Sequence, residues 1–241
     1  MGPPVGWRPG TTVKPTPAYS ARHLDSARAA AYRRKFERSF TRRMSARREH
    51  TLVERALTGA LARVASETPV LLDYPCGAGR FAPLFASRAD RYVAGDHSPH
   101  MLEITRTVLE QAGLQRKLVR TTEGDARSME LEDDAVDLAV CMRLLHHFRE
   151  REDRVRVLAE LARVSRGPLV TSFLDGESFK QRRYAARRTR QGKPLTRVLQ
   201  TRDEFAAEAG EAGWIVVDSW ALSSLFSGQR VVLLDHAEAP A

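Results

Sequence analysis

Cysteine is scarce. The 241 residues hold two, Cys76 and Cys141, neither in a C-x-x-C pair nor near a histidine at ligand spacing. That excludes a disulfide framework and a zinc module, and two buried thiols in a reduced cytosol are the expectation. No metal is expected. Long apolar runs are missing too, since none approaches the roughly 18 residues that a membrane span needs. The first residues, MGPPVGWRPGTTVKPTP, lack a basic start followed by an apolar stretch, and position 6 is Gly where a myristoylation signal has Ser or Thr. Neither a secretory leader nor a lipid anchor is expected, and the predicted location is cytoplasmic.

Lysine is also sparse, with five positions (14, 35, 117, 180 and 193), yet the net charge is +9 because arginine is abundant. The excess is local. Residues 21–50 carry ten Lys/Arg against Asp25, Glu37 and Glu49, and residues 179–202 carry nine with no acid, which leaves an acidic body. Two basic attachments on such a body fit either an anionic partner or solvated helix faces.

Residues 1–18, with five prolines and three glycines, read as a flexible tail. Residues 19–49 read as a basic helical segment, a candidate lid, in which Tyr32, Phe36, Phe40 and Met44 form an i, i+4 stripe. Residues 50–241 read as the main domain. Its first helix, from Thr51 to Ala65, carries Leu52, Val53, Ala56, Leu57, Ala60, Leu61 and Val64 on one face.

From Pro69 onward, strand-like and helix-like runs alternate. Strands are predicted over 70–74, 91–96, 117–125, 136–142, 168–174, 215–222 and 230–236. Helices are predicted over 79–88, from Ser98-Pro99, over 151–166, and from Thr201 to Ala212. The fold class that follows is α/β and Rossmann-like, with a mostly parallel seven-stranded sheet covered by helices on both faces. The last two strands have no helix between them, which predicts one antiparallel edge strand. The basic stretch 177–200 is long for a connection and reads as a functional insertion.

The first strand ends in Asp73-Tyr74-Pro75-Cys76-Gly77-Ala78-Gly79-Arg80. Glycines at a strand-to-helix turn let a ligand approach the backbone. With Ala82 they also fit a loose dinucleotide pattern. Asp73 discriminates, because a carboxylate ahead of the glycines repels a pyrophosphate and attracts an ammonium beside a sulfonium. Asp96, 23 residues later, can accept two ribose hydroxyls, and Asp125 can accept an adenine amino hydrogen. Three acids at the carboxyl ends of three successive strands would line one crevice.

In LLDYPCGAGRF, VAGDHSPHML, EGDA, VDLAVCMRLLHHF and ELARVSRGPLVTSF, taken in this order, the chain resembles the class I S-adenosylmethionine-dependent methyltransferases, within their small-molecule, quinone-type branch. Pro75 departs from the usual glycine of that loop. The resemblance implies S-adenosylmethionine as cofactor. It implies cofactor contacts from Asp73, Cys76, Gly77 and Gly79, from Asp96, His97 and Met101, from Gly124, Asp125 and Ala126, and from Met142 and Arg143. It implies in-line methyl displacement onto a small-molecule or lipid-like acceptor, with the basic segments pointing to a negatively charged one. His146 and His147 are candidate general bases for a hydroxyl acceptor, against a structural role for both. Tyr19, Tyr32 and Tyr184 are candidate acceptor contacts. Competing readings are an RNA methyltransferase tracking phosphates with residues 21–50 and 179–202, a non-catalytic cofactor-binding partner subunit, and a dinucleotide oxidoreductase.

Overall fold

A computed structural model describes residues 40–223 and 227–237, with side chains from residue 45 onward. The candidate residues Tyr19 and Tyr32, the tail 1–18 and most of the aromatic stripe lie outside the described residues.

Seven strands form one sheet in the order β3-β2-β1-β4-β5-β7-β6. They are β1 (Val70–Asp73), β2 (Arg91–Asp96), β3 (Leu118–Glu123), β4 (Leu138–Cys141), β5 (Leu169–Leu174), β6 (Trp214–Ser223) and β7 (Ser227–His236). Strands β1, β4 and β5 are buried along their whole length. This is the pattern of a parallel sheet covered on both faces, and it explains why their sequences are mostly apolar, with the polar residues Asp73, Thr171 and Ser172 buried as well. β7 is the antiparallel strand. It pairs with β5 on one side and β6 on the other, so it sits one place in from the edge that β6 forms.

Helices α1 (Phe40–Leu61), α2 (Ala82–Arg88), α3 (Pro99–Gln111), α4 (Arg151–Val164), α5 (Phe179–Arg190) and α6 (Arg202–Glu211) complete the fold. Consecutive strand residues point to opposite faces. Leu71 therefore joins a core with Val53, Leu57, Phe85 and Leu109 on the side of α1, α2 and α3. Leu72 joins another with Val157, Leu161, Phe205 and Trp214 on the side of α4 and α6.

The predicted stripe of the first helix is realised, with Val53, Ala56, Leu57 and Ala60 buried at i, i+3, i+4 and i+7. The predicted break near residue 50 is not. His50-Thr51 carries no helix breaker, and one helix runs from the basic segment into the domain. Thr201 forms a full capping box with Glu204, as its sequence position suggests. Ser98 and Pro99 hold the N-cap and N1 places of α3, although the Ser98 side chain makes no cap hydrogen bond.

Buried Arg154 of α4 pairs with Glu208 of α6 and donates to the carbonyls of Phe148 and Arg149. It thereby pins the turn that follows β4 beneath the site. Among the described residues no helix is long and apolar enough to cross a membrane.

Candidate functional site

One cavity opens at the carboxyl ends of β1, β2, β3 and β4, where a doubly wound sheet leaves a crevice. Asp73, Cys76, Gly77, Asp96, His97, Met101, Asp125, Ala126, Met142 and Arg143 all line it, so most of the residues singled out in the sequence are brought together. Tyr74, Arg80, Phe81, Ser98, Leu144, His147 and Phe148 also contribute to the wall.

The three acids have unlike environments. Asp73 is 2% exposed and accepts the Tyr92 hydroxyl at 2.8 Å. Burial pushes its carboxyl up to about 8, the Tyr92 hydrogen bond opposes this, and the Asp96 charge adds to it. The side chain is therefore largely protonated at neutral pH until a cation reaches it. Asp96 accepts the N–H of Gly77 through Oδ2 and of Ser98 through Oδ1, both at 2.9 Å. Burial raises it to about 6, held back by those two donors. Each oxygen keeps a further lone pair, which suits a vicinal diol. Asp125 is engaged by Arg127 through both oxygens, at 3.0 and 2.7 Å. An incoming amino hydrogen would share that carboxylate rather than find it unoccupied.

Two glycines of the loop do different work. Gly77 has φ +53, and a Cβ there would meet nothing within 4 Å, so its open side faces the cavity. Gly79 does not line the cavity. At φ +69 its Cβ would lie 3.1 Å from Cα of Thr105 and 3.2 Å from Cβ of Val108, so this glycine lets α3 pack on the loop. Gly124 is likewise displaced from the wall, and its carbonyl accepts the Tyr74 hydroxyl at 2.6 Å. The Tyr74 ring crosses Gly95, where a Cβ would come within 2.0 Å, so this tyrosine ties β2 to the end of β3.

The two histidines part company. His147 lines the cavity, whereas His146 is 3% exposed and absent from the wall, its ring centre 4.2 Å from that of His147 with the planes tilted by 44°. Burial lowers His146 to about 2, with neighbouring His147 and two arginines adding to the effect, so it is not a base near neutral pH. Tyr184 also falls away from the predicted role. It sits on α5, its hydroxyl shares a 2.9 Å hydrogen bond with Thr196, and it does not reach the cavity.

Sequence reasoning missed Glu49. This residue of α1 is 1% exposed and bonds Nε and a terminal nitrogen of Arg143 at 2.7 and 2.6 Å, and Arg80 at 2.7 Å. Burial works to raise its carboxyl, but the guanidinium groups of Arg143 and Arg80 outweigh it and hold the group below the usual carboxylate range. Both arginines line the cavity. Arg143 has φ +62, a strained backbone for a non-glycine residue, and its N–H donates to Ser172 Oγ. The basic N-terminal helix is thus locked to the glycine loop and to the end of β4.

The residues present suit a nucleoside carrying positive charge. Buried carboxyls gather at one end, glycine backbone lies between them, and Phe81, Met101, Ala126, Met142 and Phe148 offer apolar surface to a heterocycle. Among the described residues no group of three or more His, Cys, Asp or Glu is placed to hold a metal ion.

Comparison with known proteins agrees with this geometry. Residues 71–167 match a family profile described as a methyltransferase domain. An uncharacterized methyltransferase of Bacillus subtilis is 31% identical over 94 residues, covering 39% of this chain and 35% of that protein. The chain spans about a third of the length of the curated relatives it matches. Magnesium protoporphyrin IX methyltransferase from Synechocystis, solved with S-adenosylhomocysteine bound, superimposes with a TM-score of 0.71 at 15% identity, over 90% of this chain and 98% of that one. An S-adenosylmethionine-dependent methyltransferase from Thermotoga maritima gives 0.59 at 19% identity, over 89% and 98% of the two chains. At such identities the solved structures speak for the fold. Residues 71–167 thus carry the profile of a methyltransferase domain, on a fold shared with S-adenosylmethionine-dependent methyltransferases.

Proposed function

We propose that the protein transfers the methyl group of S-adenosylmethionine to a small-molecule or lipid-like acceptor. The observation that carries this reading is the pair of buried carboxyls, Asp73 and Asp96, at the ends of adjacent strands on one otherwise largely apolar cavity. When bound, the cofactor supplies a methyl carbon on a sulfonium; the acceptor's lone pair forms the new bond as the carbon–sulfur bond breaks and its electrons go to sulfur.

The chain's own residues have the tasks of holding and drying. Asp73 meets the ammonium, and Asp96 accepts the ribose hydroxyls. Gly77 presents backbone, while Met101, Ala126 and Phe148 enclose the base. Holding the two reactants about 3–3.5 Å apart in line is the main catalytic contribution available here. Met142, Arg143 and His147 stand at the end of β4 on the acceptor side. His147, which lines the cavity, takes the proton of a hydroxyl acceptor in this reading, and an amine or carbon acceptor needs less help. Glu49 ties α1 to Arg80 and Arg143 in the cavity wall.

The test is transfer of labelled methyl from S-adenosylmethionine into fractionated small-molecule and lipid extracts. Label appearing in one chemical fraction, and lost with Asp96→Ala, supports the reading. Label in no fraction, although the cofactor binds, would leave a cofactor-binding partner protein as the better account.

A further inference from the structure

Helix α5 lies outside anything the methyl-transfer reading uses. It follows β5 at the same end of the sheet as the cavity and buries no residue completely. Its inner face, half-buried Gln181, Tyr184, Ala185 and Arg188, seats it on the body. Arg188 donates to the Pro194 carbonyl and Tyr184 bonds Thr196, so residues 193–196 run back along the helix. The outer face is cationic. Lys180, Arg183, Arg187 and Arg190, spaced three and four residues apart, form a stripe about 15 Å long. Among the described residues, none of these four has a carboxylate partner. Phe179 lies within this face, one turn before Arg183, and is 53% exposed. Leu195, on the returning strand of chain, is 37% exposed.

We propose that α5 and the segment returning along it dock the protein on an anionic phospholipid surface. The cations supply charge complementarity to the headgroups, each worth about 1 kcal/mol near such a surface. Phe179 and Leu195 supply apolar groups that can enter the interface. These two residues favour a bilayer over a nucleic acid. An exposed leucine gains nothing from a phosphate backbone, and the Arg183 guanidinium lies 5.6 Å from the centre of the Phe179 ring, covering a face that a base would need for stacking. Docking by α5 would bring the end of the sheet that carries the cavity toward the membrane.

The experiment is co-sedimentation of the full chain, without cofactor, with vesicles of phosphatidylcholine alone or mixed with phosphatidylglycerol, at low and high salt. Binding should need the anionic lipid and weaken as salt rises. Arg183→Glu with Arg187→Glu should reduce partitioning at least about thirtyfold, given some fivefold per charge removed. Phe179→Ser with Leu195→Ser should reduce it about tenfold. All four positions are exposed, so both variants keep the wild-type melting temperature; should either lose it, Arg183→Gln with Arg187→Gln replaces the charge variant and Phe179→Ala with Leu195→Ala the apolar one. Equal binding to neutral vesicles, unchanged binding by either variant, or binding of a single-stranded oligonucleotide in place of vesicles overturns the proposal. No cofactor is present, so failure here is separate from failure of the methyl-transfer reading.

Discussion

Replacing Asp73 by asparagine should make the empty protein more stable and the cofactor bind more weakly. The unfolded carboxyl titrates near 4, while burial holds the folded one at about 8. Between those values the folded state binds more protons than the unfolded state, so stability falls as pH rises through that window. The cost of burying this group at pH 7 is about 4 kcal/mol. Asparagine keeps an oxygen for the Tyr92 hydroxyl and carries no charge. After allowance of about 1–3 kcal/mol for a buried amide N–H, the variant should gain about 2–4 kcal/mol at pH 8 and lose roughly 1–2 kcal/mol near pH 4, where the carboxyl is protonated in both states and only the amide penalty is left. Binding moves the other way. Losing a charge-assisted contact to the ammonium costs about 1.5–3 kcal/mol, or roughly 10- to 150-fold in Kd for S-adenosylhomocysteine. Urea unfolding across pH and calorimetric titration read the two effects. A variant that is less stable at pH 8 and binds with wild-type affinity would make Asp73 a structural acid and refute the reasoning.

Three further outcomes follow from the same geometry. Calorimetry at pH 7 in buffers of different ionisation enthalpy should show release of close to one proton per S-adenosylhomocysteine bound, because about nine-tenths of Asp73 is protonated beforehand; zero release contradicts the Asp73 assignment. Glu49→Gln leaves two guanidinium groups facing each other and should cost about 1–3 kcal/mol, discounted because both arginines are partly exposed; chemical unfolding measures it, and an unchanged midpoint removes Glu49 as the anchor of α1. Gly79→Ala places a methyl in the left-handed region against Thr105 and Val108 and should cost about 2–4 kcal/mol, whereas Gly77→Ala, with open space beside it, should show the backbone strain alone.

The centre of the sheet was readable in the sequence because β1, β2 and β4 are short, mostly apolar runs bounded by acids, glycines and prolines. Asp73, Gly77 and Asp96 were readable for a related reason: strand ends in this topology converge, so a residue's place in its own strand predicts its place in the cavity. Glu49 was not. It lies 31 residues before Arg80 and 94 before Arg143, and in the sequence it is one acid in an arginine-rich run; only tertiary packing shows what it meets. Adjacent His146 and His147 look alike in sequence, yet the short turn Leu145–His147 sends one ring into the core and the other to the cavity. Gly79 looked like a ligand glycine, and its contact with α3 is set by packing between two elements that no local pattern reports.

The central claim is that the cavity takes a nucleoside bearing an ammonium group and not a phosphate-bearing one. Calorimetric titration of the full chain with S-adenosylhomocysteine and with NAD, on wild type and on Asp96→Ala, tests this most directly. The account predicts saturable binding of the first ligand, abolished or weakened at least about a hundredfold by the substitution, and no binding of the second. Binding of NAD, or silence toward S-adenosylhomocysteine at millimolar concentration, would contradict it.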